Sequence, residues 1–226
     1  MSEFNDKVVL VTGGAGALGV AVATAFHDAG AKVAVLDLIQ VDVPYASRVV
    51  DLVDAVSADN AVRSVAEELG AIDVLANIAG GFSMGESVAE TTDDTWDFMF
   101  NLNARTVLNM ARAVVPGMTA SGRGKIVNIG ARAGLRGSAA MGAYCASKSV
   151  VLRLTEALAD ELKTQGINVN CILPSIIDTE RNRADMPNSD FDTWVRPAQI
   201  ADVVMFLASA AADPIHGASL PVEGLA

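Results

Sequence analysis

The chain has 226 residues, 51% of them apolar, and its acidic residues outnumber the basic ones 27 to 16, for a formal net charge of −11. This length suits one large α/β domain, and the negative charge repels nucleic-acid phosphates and anionic lipids, so neither is an expected partner. The uncharged runs are too broken to span a membrane, the first residues are polar and acidic, and only two cysteines and two histidines are present. We therefore expect a cytoplasmic protein that lacks a signal peptide, a disulfide framework and a metal site.

Short apolar runs alternate with longer helical patterns along the whole chain. The predicted strands cover residues 7–11, 32–36, 48–50, 72–76, 125–129 and 168–173, and the predicted helices cover residues 18–29, 60–69, 93–118 and 143–163. Short strands that are apolar on both faces, separated by helices, are typical of a parallel sheet between two helical layers. Because no linker or repeat interrupts the pattern, residues 1–226 are predicted to form a single-domain doubly wound parallel sheet of the Rossmann-like type.

A glycine-rich turn joins the first predicted strand to the first helix. It reads TGGAGALG over residues 12–19, and such a turn presents backbone N–H groups and a helix N-terminus to a phosphate. Asp37 ends the second strand, where its carboxylate can accept hydrogen bonds from the hydroxyls of an adenosine ribose. The same carboxylate repels a 2′-phosphate, and neither the turn nor Leu38 and Ile39 supplies a cation. The sequence therefore favours NAD over NADP.

Tyr144 and Lys148 lie four residues apart near the start of the last long helix. Residues at this spacing are neighbours on one helix face. A phenol titrates near pH 10, which is too high for an acid–base catalyst at neutral pH, but a neighbouring cation favours the phenolate. We therefore predict that Lys148 lowers the pKa of Tyr144, so that the phenol can exchange a proton with a substrate.

These motifs resemble the short-chain dehydrogenase/reductase family over nearly the whole chain. The matching segments are the turn, with Ala17 in place of the middle glycine of TGxxxGxG, then Asp51-Leu52, NIAG at 77–80, Asn101, the YxxxK of 144–148, PSIIDT at 174–179 and the closing segment 216–224. The resemblance implies a nicotinamide cofactor, here NAD, held by Gly13, Ala17, Leu18, Gly19, Asp37, Leu38, Asp51, Leu52, Asn77, Ala79, Gly80, Tyr144, Lys148, Pro174, Ile177 and Thr179.

The resemblance also implies roles for a catalytic group and an oligomeric assembly. Tyr144 would exchange the proton, Lys148 would also bind the nicotinamide ribose, and Asn101 would hold a water that connects Lys148 to solvent. The helix over 143–163 carries an apolar stripe, and the family pairs this helix with a twofold mate. We therefore expect a homodimer or a homotetramer that acts on a small-molecule substrate.

One position departs from the resembled family. The family places a serine thirteen residues before the catalytic tyrosine, where it bonds to the substrate oxygen, and that position is Ala131 here. Loss of one donor to a developing oxyanion costs about 10²- to 10³-fold in rate, so Ala131 argues against ordinary carbonyl reduction. Ser138, in the loop between Ala131 and Tyr144, is a possible replacement, as is a water.

Dihydropteridine reductases, a branch of the family that works without this serine, resemble the chain in two segments. These are GARAGL at residues 130–135 and the pattern D-T-x-x-N-R-x-x-M-P-x-x-D-F-x-x-W at residues 178–194. This likeness implies a quinonoid dihydropterin or another conjugated ring as the substrate of an NADH-dependent reductase. Two alternatives stay open, namely a secondary-alcohol or 3-oxoacyl dehydrogenase of the same family and a catalytically idle NAD(H)-binding protein.

Overall fold

Seven parallel strands form the central sheet of the computed structural model, which describes residues 2–225. The strands are β1 (Val8–Thr12), β2 (Lys32–Asp37), β3 (Ala46–Val49), β4 (Val74–Asn77), β5 (Gly124–Ile129), β6 (Ile167–Pro174) and β7 (Ser219–Val222), in the spatial order β3-β2-β1-β4-β5-β6-β7. The chain runs outward in one direction from β1 and in the other from β4, so a crevice opens where the carboxyl ends of these two strands meet. The predicted fold class, a single-domain doubly wound sheet, is confirmed.

Helices cover both faces of the sheet. The helices are α1 (Ala17–Asp28), α2 (Ala55–Leu69), α3 (Asp93–Phe100), α4 (Thr106–Ser121), α5 (Gly142–Leu162), α6 (Glu180–Asp185) and α7 (Pro197–Ala208). Side chains of α1 and α7 share one apolar core with the sheet, while α2, α4 and the end of α5 share the other. The two strands β1 and β6 are buried along their full length, as expected for strands between two helical layers. Within residues 2–225, no helix has the length and apolar character that crossing a bilayer requires.

The helical pattern predicted over residues 93–118 is not one continuous helix. A π-helical turn, Asn101–Arg105, separates α3 from α4. Such turns insert an extra residue, rotate the side chains that follow and are frequent at functional sites. Helix α7 was also not predicted from the sequence. The residues of this helix are apolar on most sides, so the amphipathic period by which a surface helix is recognised is weak. The structure explains this composition, since α7 packs against both α1 and the sheet.

Candidate active site

The glycine-rich turn is pressed against the end of β4. Gly13 has a φ of +70°, and a Cβ atom built there would lie 2.9 Å from the backbone of Ala79. A Cβ at Gly19 would lie 2.0 Å from the carbonyl oxygen of Gly13, so this first turn of α1 has no room for a side chain. The Thr12 hydroxyl accepts hydrogen bonds from the N–H groups of Ile78 (3.0 Å) and Ala79 (3.1 Å). The turn therefore forms a backbone-lined cradle of the kind that holds a dinucleotide pyrophosphate.

Asp37 lies at the carboxyl end of β2, beside this cradle. Its carboxylate accepts hydrogen bonds from the N–H of Ala15 in the turn (2.9 Å) and from the N–H of Leu38 (2.7 Å). These bonds fix the carboxylate at the rim of the cradle, where a ribose would lie. Arg48, on the neighbouring strand β3, is bonded to the carboxylate of Glu68 and so does not offset the charge of Asp37 with a free guanidinium.

The segment after β3 carries the next predicted cofactor residues. Asp51 is exposed, and Leu52 is 5% exposed. The side-chain amide of Asn109 in α4 donates hydrogen bonds to the carbonyl oxygens of Leu52 (2.9 Å) and Val53 (3.0 Å). Asn109 was not predicted as a site residue, but it holds this segment at the edge of the crevice.

A buried chain of polar side chains ties α5 to the middle of the sheet. The Asn77 amide donates to Asn128 Oδ1 (2.8 Å), and the Asn128 amide donates to the hydroxyl of Thr155 (2.9 Å). The Thr155 hydroxyl in turn donates to the carbonyl oxygen of Val151 (2.8 Å). Because each of these side chains is hydrogen-bonded in the interior, this network of side chains fixes the rotation of α5 relative to β4 and β5.

The Tyr144–Lys148 pair lies on the face of α5 that meets the carboxyl ends of β4 and β5. Lys148 is only 5% exposed, and its ammonium donates a hydrogen bond to the carbonyl oxygen of Ile129 (2.9 Å). The Tyr144 ring is half-buried and meets the ring of Phe82 edge to face, with 4.9 Å between the centroids. The structure therefore brings the predicted acid–base pair to the crevice that also contains the glycine cradle.

The acidities of this pair differ from the prediction. Burial lowers the pKa of Lys148 to about 8 and raises the pKa of Tyr144 to about 12. The predicted lowering of the Tyr144 pKa by Lys148 is therefore wrong for the protein alone. The physical reason is that burial removes water from the phenolate and that the neighbouring Cys145 raises the pKa further, while the Lys148 ammonium is bonded to the carbonyl oxygen of Ile129.

Asn103, rather than Asn101, lies beside Lys148. A Cβ atom built at Gly80 would be 2.9 Å from Asn103 Oδ1 and 3.1 Å from Lys148 Nζ, so both polar groups lie against Gly80, which has no room for a side chain. Asn103 is 1% exposed, and its amide donates to the hydroxyl of Ser147 (3.0 Å). The Asn101 side chain instead accepts a hydrogen bond from Arg105 (2.7 Å) at the exposed side of the π-helical turn.

This placement corrects the prediction for Asn101. Both asparagines belong to the motif Asn101-Leu102-Asn103, and the spacing alone did not separate them. The π-helical turn rotates Asn103 inward and leaves Asn101 toward solvent, a rotation that an α-helical pattern does not predict. In the sequence, the only sign of this was a second asparagine, Asn103, close to apolar residues.

Ala131 lies directly after β5 and supplies no hydroxyl to the crevice. It is 6% exposed, and its backbone is extended. Ser138 is exposed, and its carbonyl oxygen accepts a hydrogen bond from the N–H of Met141 (3.3 Å) in the turn before α5. At the position where the sequence lacks the expected serine, the structure therefore has a buried methyl group.

The segment after β6 closes over the same edge of the sheet. Pro174 ends β6, Ile177 forms a parallel bridge with Val195, and the Thr179 hydroxyl caps α6 by accepting a hydrogen bond from the N–H of Asn182 (3.2 Å). These contacts hold the predicted cofactor residues Pro174, Ile177 and Thr179 in a fixed loop beside the crevice.

The pattern from Asp178 to Trp194 consists of residues that contact one another. Arg183 donates two hydrogen bonds to the Asp178 carboxylate (2.5 and 2.8 Å), and the guanidinium lies 4.8 Å from the centroid of the Phe191 ring. The rings of Phe191 and Trp194 are 4.9 Å apart. These side chains therefore stabilise the loop itself.

Three features together define a nicotinamide-dependent oxidoreductase. They are the doubly wound sheet, the glycine cradle with the carboxylate at the end of β2, and the tyrosine–lysine pair at the crevice. The family model described as short chain dehydrogenase matches residues 7–190. The chain belongs to the short-chain dehydrogenase family.

Individual relatives match over their full length. The chain is 33% identical to galactitol 2-dehydrogenase of Agrobacterium fabrum, with 98% of each chain covered, and 32% identical to sorbitol dehydrogenase of Cereibacter sphaeroides, again with 98% of each covered. Among solved structures, NAD+-bound xylitol dehydrogenase superposes with a TM-score of 0.90 at 26% identity, covering 99% of this chain and 100% of the other. The protein is thus an oxidoreductase that transfers hydride between a nicotinamide and a small substrate.

Proposed function

We propose that the protein interconverts a secondary alcohol and a ketone on a small hydroxylated substrate, with NAD(H) as its cofactor. The observation that carries this proposal is the assembly of Tyr144, Lys148 and Asn103 at the crevice beside the glycine cradle. The relatives named above, whose names describe polyol dehydrogenases, support the substrate class. The assembled polar group disfavours the idle NAD(H)-binding alternative, because a binding protein has no need of a buried lysine at this position.

The residues of the crevice fit the proposed cofactor. Gly13 and Gly19 leave backbone close to the pyrophosphate position, and the Asp37 carboxylate is fixed where it can accept bonds from the ribose hydroxyls. A phosphate on that ribose would meet the Asp37 charge, which supports NAD over NADP. When bound, the nicotinamide supplies or accepts the hydride.

The side chains of this protein handle the proton. In the reducing direction the O–H of Tyr144 donates its proton to the substrate oxygen and leaves a phenolate. In the alcohol-oxidising direction that phenolate takes the proton of the substrate hydroxyl and returns to the phenol. Lys148, one helical turn after Tyr144, supplies positive charge to the crevice. Its ammonium and the Asn103 side chain both lie against Gly80, and Asn103 donates to the Ser147 hydroxyl. With Ala131 in place of a donor, Tyr144 is the only side chain of this set that we assign to the reacting oxygen.

A second candidate function is the reduction of a conjugated ring such as a quinonoid dihydropterin. Ala131 favours it, because reduction of a conjugated ring spreads charge over several atoms and depends less on one oriented hydroxyl. The exposed ring of Phe82 beside Tyr144 is a surface on which a flat ring could pack. The loop pattern of residues 178–194 supports it less, because its side chains contact one another.

A substrate screen tests both candidates. The purified protein would be assayed by nicotinamide absorbance with polyols, simple secondary alcohols, ketones, 3-oxoacyl thioesters and quinonoid dihydropterin, each with both NAD(H) and NADP(H). Turnover of alcohols or ketones with NAD(H) supports the proposal, and turnover of the dihydropterin alone supports the second candidate. Binding of NADH without turnover of any substrate would contradict both.

We further propose a cytoplasmic homodimer or homotetramer. In α5, Val150, Leu154 and Leu158 are only half-buried, although they follow the helical spacing of an apolar stripe. Such a stripe can bury additional area against a second copy, which would also stiffen the helix that carries Tyr144. Light scattering at micromolar concentration tests this assembly, and a monomer would contradict it.

A further inference from the structure

Glu86, in the segment between β4 and α3, has a carboxylate oxygen that is buried without a partner. Its Oε1 accepts a hydrogen bond from the hydroxyl of Thr95 (3.3 Å), but Oε2 has no hydrogen-bond partner among residues 2–225. A buried carboxylate oxygen without a donor is energetically costly, so such atoms are rare and usually have a functional reason. The oxygen therefore indicates the position of a donor group that belongs to a ligand.

Glu86 lines a small cavity next to the catalytic helix, and Oε2 is buried behind the cavity surface. The cavity has a volume of about 10 Å³ and is lined on one side by Glu86 and Thr95, and on the other by Gly142 and Ala143. Ala143 immediately precedes Tyr144, so the cavity lies at the turn of α5 that carries the residue we assign to the reacting oxygen. This volume accommodates one hydroxyl group or one water, and not a ring.

The segment that carries Glu86 is held against the start of α5. The N–H of Gly85 donates a hydrogen bond to the carbonyl oxygen of Ala140 (2.9 Å). A Cβ atom built at Gly142 would lie 2.8 Å from a methyl group of Val88, so the Val88 side chain packs directly against the backbone of Gly142. Glu86 is therefore positioned relative to Tyr144 by contacts on both sides of it in the chain.

We propose that Glu86 is a specificity-determining residue whose carboxylate accepts a hydrogen bond from a second hydroxyl of the substrate, near the carbon that is oxidised. This inference rests on the proposed secondary-alcohol function and adds a requirement to it. The hydroxyl donates to Oε2 within the cavity, and the charge of Glu86 strengthens this bond relative to a neutral acceptor. The same charge repels substrates that carry a carboxylate or phosphate at this position. The preferred substrates are thus uncharged vicinal diols and polyols.

A pair of alcohols that differ by one hydroxyl tests this inference. The ratio of kcat/KM for butane-2,3-diol to kcat/KM for butan-2-ol, measured with NAD+, reports recognition of the second hydroxyl. We expect the wild-type protein to favour the diol by tenfold or more, and Glu86→Gln to lower this ratio by roughly tenfold, since a charged acceptor becomes neutral. Glu86→Met, which has similar length but no acceptor, should lower it at least as far.

Glu90→Gln is the matched control, because it removes the same charge from the same segment. The Glu90 carboxylate is exposed and accepts a hydrogen bond from the Ser87 hydroxyl (2.6 Å), away from the cavity. The thermal unfolding midpoint and the NADH affinity of each variant would be measured in parallel, so that a folding defect is recognised. We expect Glu90→Gln to keep the diol preference of the wild-type protein.

The outcomes separate this inference from the proposed function. If the wild-type protein oxidises both alcohols equally, or if folded Glu86→Gln keeps the diol preference, the role of Glu86 is overturned while the alcohol dehydrogenase function stands. If no alcohol or ketone is turned over at all, the proposed function fails and the inference fails with it.

Discussion

The crevice at the carboxyl edge of the sheet has two sides that are held by different kinds of interaction. We define the cofactor side as residues 12–19, 37–38, 51–52 and 77–80, and the substrate side as residues 82–91, 131–143, 178 and 180–195. On the cofactor side, backbone atoms approach so closely that glycine is required, as at Gly13 and Gly19. On the substrate side, side chains of the loops bond to one another, as Arg183 does to Asp178.

This difference shows which parts of a function are fixed by backbone and which by side-chain contacts. Where close backbone contacts leave no room for a side chain, only glycine is tolerated, so the glycines recur at a spacing that can be recognised in the sequence. Side-chain contacts within a loop can be built from many combinations, and their residues can serve the loop as well as the ligand. The predictions below therefore test the chemistry and the cofactor side first, and then the substrate side.

The largest effect is expected at the residue that joins the two sides. Tyr144→Phe removes the proton donor and acceptor, so kcat on the best substrate of the screen should fall by about a thousandfold or more, while the NADH dissociation constant stays nearly the same. Lys148→Ala should weaken both catalysis and NADH binding. Steady-state kinetics and fluorescence titration with NADH measure these quantities.

Tyr45→Phe is the matched control for this change. Tyr45 is the other tyrosine of the chain, and its ring lies against His27, with 5.4 Å between the centroids. Its substitution should leave kcat within about twofold, as expected for a surface-proximal change. Substantial turnover by Tyr144→Phe would mean that the proton comes from another group.

On the cofactor side, a single methyl group added at Gly19 should strongly weaken NADH binding. In Gly19→Ala the new Cβ atom would lie 2.0 Å from the Gly13 carbonyl oxygen, which is backbone and cannot move without opening the turn. We expect NADH affinity to fall by about a hundredfold, which corresponds to roughly 3 kcal/mol. Calorimetric titration measures this loss.

Gly16→Ala makes the same chemical change in the same turn without the clash. Its Cβ atom would come no closer than 3.5 Å to the Gly13 carbonyl oxygen, and Gly16 has a φ of −76°. The loss of affinity should therefore be much smaller than for Gly19→Ala. Equal losses in the two variants would show that the turn is not limited by the backbone contact.

The success of the sequence predictions follows the same division. Six strands of the parallel sheet follow from apolar runs in the sequence, the closing segment follows from the family resemblance, and the cradle follows from glycines whose positions the backbone requires. The structure places Asn103 beside Lys148 and leaves Asn101 toward solvent, which the sequence did not predict, because a π-helical turn is a local irregularity that depends on tertiary packing. The opposite pKa directions of Tyr144 and Lys148 depend on burial, which neighbouring elements determine and residue spacing does not.

The preference for NADH over NADPH tests whether one charge decides the cofactor. The Asp37 carboxylate should repel a ribose 2′-phosphate, so NADH should bind about tenfold tighter than NADPH or better. Asp37→Ser should lower this preference toward unity by weakening NADH binding and relieving the repulsion of NADPH. Equal dissociation constants for the two cofactors in the wild-type protein, measured by calorimetry, would contradict the assignment.

On the substrate side, Ala131→Ser distinguishes the two candidate functions. If the protein reduces ketones with one donor missing, the serine hydroxyl should raise kcat/KM on a ketone by about tenfold. If the substrate is a conjugated ring, the hydroxyl meets no localised oxyanion and kcat/KM on quinonoid dihydropterin should change little. Ala133→Ser, two residues further along the same loop, is the control for the added hydroxyl. A large gain on ketones without pterin turnover would exclude the second candidate.

The smallest expected effect is a dependence of stability on pH that arises from Lys148. Burial lowers its pKa to about 8 in the folded protein from the ordinary value of 10.5, so between these values the unfolded chain binds more protons than the folded one. The free energy of unfolding should therefore rise with pH in this range, by about 1 kcal/mol from pH 7.5 to pH 9.

Comparison with Lys148→Met isolates this contribution. Cys171, whose pKa burial raises to about 11, opposes the trend at higher pH, but it is present in both proteins and its effect largely cancels in the difference. Urea unfolding of the cofactor-free proteins at several pH values measures the two curves. Parallel curves for wild type and Lys148→Met would mean that Lys148 keeps its ordinary pKa. Water would then reach the ammonium of Lys148, and the two sides of the crevice would be less tightly closed around it than their contacts indicate.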